Sequence, residues 1–181
     1  RWVKTGIPTK AKIISEICVE ENIHLHSENI KKVINPSVLI AGCGTGQHSI
    51  HTASRFSNCR VTAVDLSLAS LAYAKRKTTE LGITNIKYLQ ADILELNQLE
   101  HKFDIIDSVG VIHHMDKPMA GWRVLTDLLN SGGLMRIGLY SELARQHIVE
   151  AKKEITLMKI GVSPFEMREF RQTISESKEA I

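Results

Sequence analysis

The sequence lacks the features of secreted, membrane-spanning and nucleic-acid-binding proteins. Its three cysteines, Cys18, Cys43 and Cys59, are odd in number and have no C-x-x-C spacing, which argues against a disulfide framework or a zinc site and favours a reducing cytoplasm. No apolar run approaches the roughly 20 residues that a membrane helix needs, and no signal-peptide pattern opens the sequence. The net charge of +3 is small and scattered along the chain, so no basic patch indicates a nucleic-acid partner. We expect a cytoplasmic protein that works without a metal, a membrane or a nucleic acid.

The length and composition are those of one globular domain. The chain has 181 residues, of which 43% are apolar and 24% charged, which is enough for one sizeable core and ordinary for a globular protein. It begins at Arg1 and stops at Ile181 within a helical pattern, so we expect a fragment of a longer, multidomain protein.

Short apolar runs alternate with helical patterns through the middle of the sequence. The predicted strands are Val38–Ala41, Arg60–Val64, Ile86–Leu89, Phe103–Val109 and Leu134–Leu139. Helices are predicted between them at about 46–57, 67–81 and 117–130, with a shorter one near 93–100. This alternation predicts an α/β fold with a doubly wound, mostly parallel sheet that binds ligands at the carboxyl ends of its strands.

Helical patterns also occupy both ends of the chain. Residues 9–34 have apolar side chains at helical spacing, and Ser27 is a suitable N-cap for their second part. Apolar residues from Ala144 to Val162 follow one face of a helix, and the capping box Ser163-Pro-Phe-Glu166 predicts a further helix from Pro164. We therefore divide the chain into a helical segment 1–35, an α/β core 36–140 and a helical segment 141–181.

A glycine-rich turn follows the first predicted strand. Gly42, Gly44 and Gly46 stand at alternate positions before a helical pattern. Such a turn at a helix N-terminus presents unpaired N–H groups that suit an anion. A dinucleotide-binding G-x-G-x-x-G motif would have its third glycine at position 47, where this chain has Gln47. The spacing therefore disfavours a nicotinamide-dependent oxidoreductase, although it leaves that alternative open.

Two aspartates follow the next two strands. Asp65, at the end of the second strand, can accept hydrogen bonds from both hydroxyls of a ribose, or the next helix can simply be capped by Asp65 or Ser67. Asp92, after the third strand, can accept a hydrogen bond from an adenine amino group while Ile93 packs against the ring. Asp92 can equally serve as a helix N-cap.

The order of these motifs resembles class I S-adenosylmethionine-dependent methyltransferases over roughly residues 36–140. The resemblance implies a Rossmann-like sheet with strand order 3-2-1-4-5 and S-adenosylmethionine as the cofactor. The segments Ala41–Ser49 and Gly138–Ser141 look like methyltransferase domains that are attached to tetratricopeptide repeats in some bacterial proteins, which implies contacts with other domains. The family resemblance assigns cofactor binding to Ala41, Gly42, Cys43, Gly44, Gly46, Asp65, Leu66, Asp92, Ile93, Ser108 and Val109.

Two histidines after the fourth strand are the candidate catalytic residues. His113 and His114 follow Ser108–Ile112, the segment that the resemblance places beside the methionine part of the cofactor. A histidine there can act as a general base near neutral pH. It can equally orient the substrate, cap the next helix or line the pocket.

The sequence departs from the family pattern in two ways. Ile40 stands two residues before the first glycine, where the family usually has an acid that helps to hold the cofactor's amino group. Another group or water must then take that role. The last forty residues are predicted to be helical, so we expect the sixth and seventh strands of the family fold to be missing from this sequence.

The resemblance predicts methyl transfer by in-line displacement. The absence of an Asn/Asp-Pro-Pro-aromatic segment after the fourth strand, together with the near-neutral charge, favours a small-molecule or protein side-chain acceptor over a nucleic-acid base. A non-catalytic module that binds S-adenosylmethionine for regulation is the alternative, and an oxidoreductase is the less favoured one.

Overall fold

The computed structural model describes residues 7–8, 10–141 and 143–179, with the backbone alone for residues 177–179. Within these ranges the chain divides into two compact units, the first ending at Leu139 and the second beginning at Tyr140. The predictions for residue 9 and for the outer ends of the two helical segments lie outside the described residues. No helix in the described ranges is long and apolar enough to cross a membrane.

The first unit contains a parallel sheet with strand order β3-β2-β1-β4-β5. This order and the α/β class confirm the predicted fold. The described residues after β5 form no further strand. The strands are β1 (Ser37–Ala41), β2 (Arg60–Asp65), β3 (Ile86–Gln90), β4 (Phe103–Val109) and β5 (Leu129–Gly138).

Helices cover the sheet on both faces. The helices of the first unit are α1 (Ile14–Glu20), α2 (Glu28–Lys31), α3 (Gln47–Arg55), α4 (Leu68–Glu80) and α5 (Pro118–Asp127). Two short 3-10 segments, Ile93–Gln98 and Ile112–His114, follow β3 and β4.

Strand β1 is buried on both sides, as its continuous apolar run requires. Val38 and Ile40 pack in a core layer with residues of α1 to α4. Leu39 and Ala41 point the other way, into a layer with α5 and the 3-10 segment after β3. The carboxyl end of β1 is therefore held rigidly, and the glycine turn that follows starts from a fixed position.

The largest differences from the sequence prediction are at the start of the fifth strand, at the end of the helix before it and within residues 9–34. The fifth strand begins at Leu129 rather than at residue 134, and the helix before it ends at Asp127 rather than near 130. The early start is possible because Leu129 pairs with Phe103 across an irregularity in the register with β4. Within residues 9–34, the predicted N-cap of the second helical part is confirmed, since the Ser27 hydroxyl accepts a hydrogen bond from Asn29 N. The segment is not helical throughout, because the chain leaves α1 through Asn22 at φ 55° before α2 begins.

The second unit consists of helices. A short 3-10 turn, Leu143–Arg145, leads into α6 (Gln146–Leu157), and α7 (Pro164–Glu179) follows. The predicted helix through Val162 is wrong beyond Leu157, because Lys159 adopts φ 52° and ends it. The capping box is confirmed: Ser163 N donates to Glu166 Oε2 and Glu166 N donates to Ser163 Oγ, each at 3.2 Å.

Candidate cofactor site

The glycine turn joins the carboxyl end of β1 to α3. The amides of Gly42 and Cys43 both donate to the carbonyl oxygen of Val64 at 2.8 Å, which fastens the turn to the end of β2. Gly42 has φ 82°, and a Cβ on it would lie 2.2 Å from Cγ2 of Val111. Only glycine fits there, because both the backbone conformation and the neighbouring side chain exclude a Cβ.

Asp65 connects this turn to the next helix. Its Oδ2 accepts a hydrogen bond from Gly44 N at 2.7 Å, and its Oδ1 accepts one from Ser67 N at 2.9 Å. Ser67 itself is the N-cap of α4, since its hydroxyl accepts from Ser70 N. The carboxylate of Asp65 thus keeps one free acceptor position on each oxygen, because a carboxylate oxygen accepts about two hydrogen bonds.

A cavity of about 190 Å³ lies at the carboxyl ends of β1, β2 and β3. Asp92 is on its wall, and its Oδ1 accepts a hydrogen bond from Leu94 N at 2.9 Å as an N-cap does. The structure brings together here six residues that the sequence predicted for the site. The cavity is lined by Gly42, Val64, Asp65, Leu66, Ala91, Asp92, Ile93, Gly110, Val111, His114 and Met115.

The other predicted residues of the turn lie behind this cavity. Ala41 is the buried last residue of β1, and Cys43 is buried within the turn. Burial, together with the nearby charge of Asp65, raises the pKa of the Cys43 thiol to about 12. Gly44 and Gly46 continue the turn into α3 with positive φ. Among the described residues, these four shape the turn and do not line the cavity.

The predicted residues of β4 and of the loop after it differ in burial and in whether they line the cavity. Ser108 is 1% exposed, and its hydroxyl has no hydrogen-bond partner among the described residues. Val109 is exposed. His114 lines the cavity, whereas His113 is half-buried beside it, with the two ring centroids 4.2 Å apart. Asp104, at the other end of β4, accepts from Ser37 N and from the Asn130 side chain.

A second cavity, of about 450 Å³, lies between α1, α3 and the β1-β4-β5 part of the sheet. Its walls are mostly apolar and include Ile17, Phe56 and Leu134. An ion pair of Arg55 with Glu21 also lines it, and this hydrogen-bonded guanidinium lowers the pKa of the Glu21 carboxyl.

Three charged or titratable side chains that the sequence patterns did not indicate meet in the wall of this second cavity. Asp107 Oδ2 lies 2.9 Å from His48 Nε2 and accepts from Arg136 Nε at 2.6 Å, while Arg136 Nη2 lies 2.7 Å from His48 Nε2. We call His48, Asp107 and Arg136 the Asp107 cluster. The signal that could have found it is Asp107 itself, a charged residue inside the apolar strand pattern of β4.

Comparison with known proteins identifies the family. A family model described as a methyltransferase domain matches residues 38–133. An uncharacterized protein of Synechococcus is 34% identical over 124 residues, which is 68% of this chain and 30% of that protein. (S)-Coclaurine N-methyltransferase of Papaver somniferum is 32% identical over 113 residues, which is 62% of this chain and 32% of that enzyme.

Solved structures agree with the sequence matches. A coclaurine N-methyltransferase bound to N-methylheliamine and SAH superimposes with a TM-score of 0.55 at 25% identity, over 68% of this chain and 33% of that one. PKMT2 from Rickettsia typhi, at 22% identity, shows the same fold with a TM-score of 0.66 over 79% of this chain and 28% of that one. The chain spans about a third of the length of the curated relatives it matches. Since the family model covers residues 38–133 of the 181 and the sheet has the expected strand order, the chain belongs to the class I methyltransferase-domain family.

Proposed function

We propose that this chain binds S-adenosylmethionine at the glycine turn and supports methyl transfer to a small-molecule or protein side-chain acceptor. The observation that carries the proposal is the position of Asp65. Its carboxylate is fixed by the turn and by the start of α4, and it lines the same cavity as Gly42 and Asp92. The named relatives add support, because those with an assigned activity transfer methyl groups and a matching structure holds SAH.

The residues of the cavity fit the nucleoside half of this cofactor. Asp65 has acceptor positions left for the two ribose hydroxyls. Asp92 Oδ1 is held by Leu94 N, which orients its carboxylate to accept from the adenine amino group, and the buried side chain of Ile93 provides an apolar wall for the ring. A cavity of about 190 Å³ is smaller than the roughly 300–1,000 Å³ of complete ligand sites. We infer that it takes the nucleoside and that the amino-acid end lies elsewhere.

The chemistry asks little of the protein beyond positioning. When bound, S-adenosylmethionine supplies a methyl group on a positively charged sulfur, which is already activated for displacement. The chain's part is to exclude water and to align the acceptor, a contribution of about 7–11 kcal/mol in favourable systems. His114, on the cavity wall, and His113, packed against it, are our candidates for positioning the acceptor or removing its proton.

The acceptor class is a proposal from the relatives' names and from this chain's charge. The matches include N-methyltransferases of Papaver and Eschscholzia and a malonyl-[acyl-carrier protein] O-methyltransferase of Paenibacillus. A net charge of +3 on 181 residues is too small to indicate a nucleic-acid partner. We propose further that the chain works in the cytoplasm, where its three buried free cysteines stay reduced, and beside other domains of a longer protein.

Calorimetry with S-adenosylhomocysteine and NAD tests the cofactor assignment. We expect binding of S-adenosylhomocysteine and none of NAD. Asp65→Ala removes the acceptor for the ribose hydroxyls, and the loss of even one hydrogen bond to a charged acceptor, worth about 1.5–3 kcal/mol, should raise the dissociation constant about 10-fold to 150-fold. Asp104→Asn is the matched control, because Asp104 makes structural hydrogen bonds at the opposite end of β4. If Asp65→Ala leaves the affinity of a folded protein unchanged, the ribose assignment is wrong.

A further inference from the structure

One oxygen of the Asp107 carboxylate lacks a hydrogen-bond partner in the part of the chain that the structure describes. Asp107 is 7% exposed, and Oδ1 is buried without a hydrogen bond among the described residues. Three neighbouring nitrogens approach the carboxylate, and Arg136 Nε, Arg136 Nη2 and His48 Nε2 all lie within 2.9 Å of Oδ2. A purely structural ion pair would spread its donors over both oxygens, since an unsatisfied buried acceptor costs stability. The geometry therefore indicates that Oδ1 serves a donor from a ligand.

The position of Asp107 shows which ligand group this would be. Asp107 on β4 pairs with Ile40 on β1. Ile40 lies two residues before Gly42, which is about 6.6 Å along the strand. His48 is the second residue of α3, directly after the turn. The nucleoside cavity is lined by Gly42 at the start of the turn, whereas the second cavity is lined by His48, which lies in α3 two residues after the turn ends at Gly46. The Asp107 cluster therefore lies on the side of the turn that the nucleoside does not use.

We propose that the Asp107 cluster binds the amino-acid end of S-adenosylmethionine. Asp107 Oδ1 accepts from the α-ammonium group, and Arg136 with His48 faces the α-carboxylate. This inference rests on the proposed function. In this arrangement Asp107 supplies the carboxylate that position 40 lacks, because Ile40 and Asp107 occupy paired positions on adjacent strands.

The cation of the cluster has capacity for a second anion. The Arg136 side chain is 58% exposed. A guanidinium carries five N–H donors, and the contacts with Asp107 and His48 are made by the Nε and Nη2 atoms of Arg136. A zwitterion needs a carboxylate and a cation next to each other, and the cluster presents both within hydrogen-bond distance. Placing the zwitterion here also satisfies the lone oxygen.

Analogues of S-adenosylhomocysteine test each contact separately by calorimetry. The 3-carboxypropyl analogue, 5′-deoxy-5′-(3-carboxypropylthio)adenosine, lacks only the ammonium group, and the 3-aminopropyl analogue lacks only the carboxylate. We expect Asp107→Asn to weaken the binding of S-adenosylhomocysteine about 10-fold to 100-fold. The affinity for the 3-carboxypropyl analogue should stay within about twofold of the wild-type value. Asp104→Asn, the same chemical change on the same strand, should alter neither affinity.

Arg136→Gln provides a second variant at a half-exposed position, in case Asp107→Asn does not fold. This variant should weaken the binding of S-adenosylhomocysteine and leave the affinity for the 3-aminopropyl analogue unchanged. The inference is overturned if Asp107→Asn weakens binding of the 3-carboxypropyl analogue, or Arg136→Gln that of the 3-aminopropyl analogue, as much as it weakens binding of S-adenosylhomocysteine. It is also overturned if either variant leaves the affinity for both of its compounds unchanged. Wild-type protein that binds S-adenosylhomocysteine no better than 5′-methylthioadenosine would also overturn it while leaving nucleoside binding intact. Wild-type protein that binds none of these compounds would refute the proposed function itself.

Discussion

Replacing Gly42 with alanine tests how the glycine turn is built. The added Cβ would lie 2.2 Å from Cγ2, 2.7 Å from Cγ1 and 2.9 Å from Cβ of Val111. Rotating the valine side chain about χ1 moves its two γ carbons and leaves its Cβ in place, so the clash cannot be removed by a rotamer change. Gly44 is a matched control, because it also has positive φ, 52°, but no described atom lies within 4 Å of the place that its Cβ would take.

The two substitutions separate backbone strain from side-chain overlap. Gly44→Ala forces an L-residue into the left-handed region, which costs about 1–2 kcal/mol. Gly42→Ala incurs the same strain at φ 82° and adds overpacking, which costs about 1–3 kcal/mol. We therefore expect Gly42→Ala to lower the free energy of unfolding by about 2–5 kcal/mol, and Gly44→Ala by less than half of the larger figure.

Urea unfolding at neutral pH measures both losses, with the slope against denaturant checked for two-state behaviour. A third variant, Val111→Ala, removes the two γ carbons, and combining it with Gly42→Ala should recover part of the loss as a favourable coupling energy. Equal destabilisation by the two glycine substitutions, or a double variant in which the losses simply add, would show that Val111 does not constrain the turn.

Two further predictions concern pH. Burial raises the pKa of the Cys43 thiol to about 12 from 9.0, so the folded protein keeps a proton that the unfolded chain loses, and stability should fall as pH rises from about 9 toward 12. Urea unfolding between pH 8 and 10.5 should show a shallower decline for Cys43→Ala, and an unchanged slope would contradict the assignment. Hydrogen bonds from Ser163 hold the pKa of the Glu166 carboxyl below 4.5. The charged carboxylate therefore stabilises the start of α7 above about pH 4.5, and this contribution is lost as pH falls through the lowered pKa. The acid-induced loss of helical circular dichroism should be smaller for Glu166→Gln, and identical titrations would contradict the capping role.

The sheet was predictable because its strands are local apolar runs. The residues from Phe103 to Val109 form a strand with the predicted bounds. The start of β5 was not predictable, since Asn130-Ser-Gly-Gly133 has the composition of a loop. It joins the sheet only because Leu129 pairs with Phe103 through an irregular register, and that contact is not encoded in the local pattern.

One part of the candidate site could be predicted from the sequence, and the other part could not. Gly42, Asp65 and Asp92 each follow a strand, so their meeting at one edge of a parallel sheet could be expected. His48 and Arg136 have no such local signal, since each is an ordinary polar residue in its own segment. They meet Asp107 because β5 pairs Arg136 with it and α3 begins beside it. Contacts of this kind depend on the assembled sheet and could not be read from the spacing of residues.

The packing of α1 and α2 has a consequence for how the first unit unfolds. Ile14, Cys18 and Ile30 are at most 3% exposed and belong to the same core layer as Val38 and Ile40 of β1. A shared apolar layer has no boundary along which it can separate, so the two helices and the sheet should melt in a single cooperative transition. A shortened chain that starts at residue 36 would keep α3 and α4 but lose the side chains of α1 and α2 from this layer. Part of one face of its central strand would then contact water, and we expect the shortened chain to aggregate before it can be assayed.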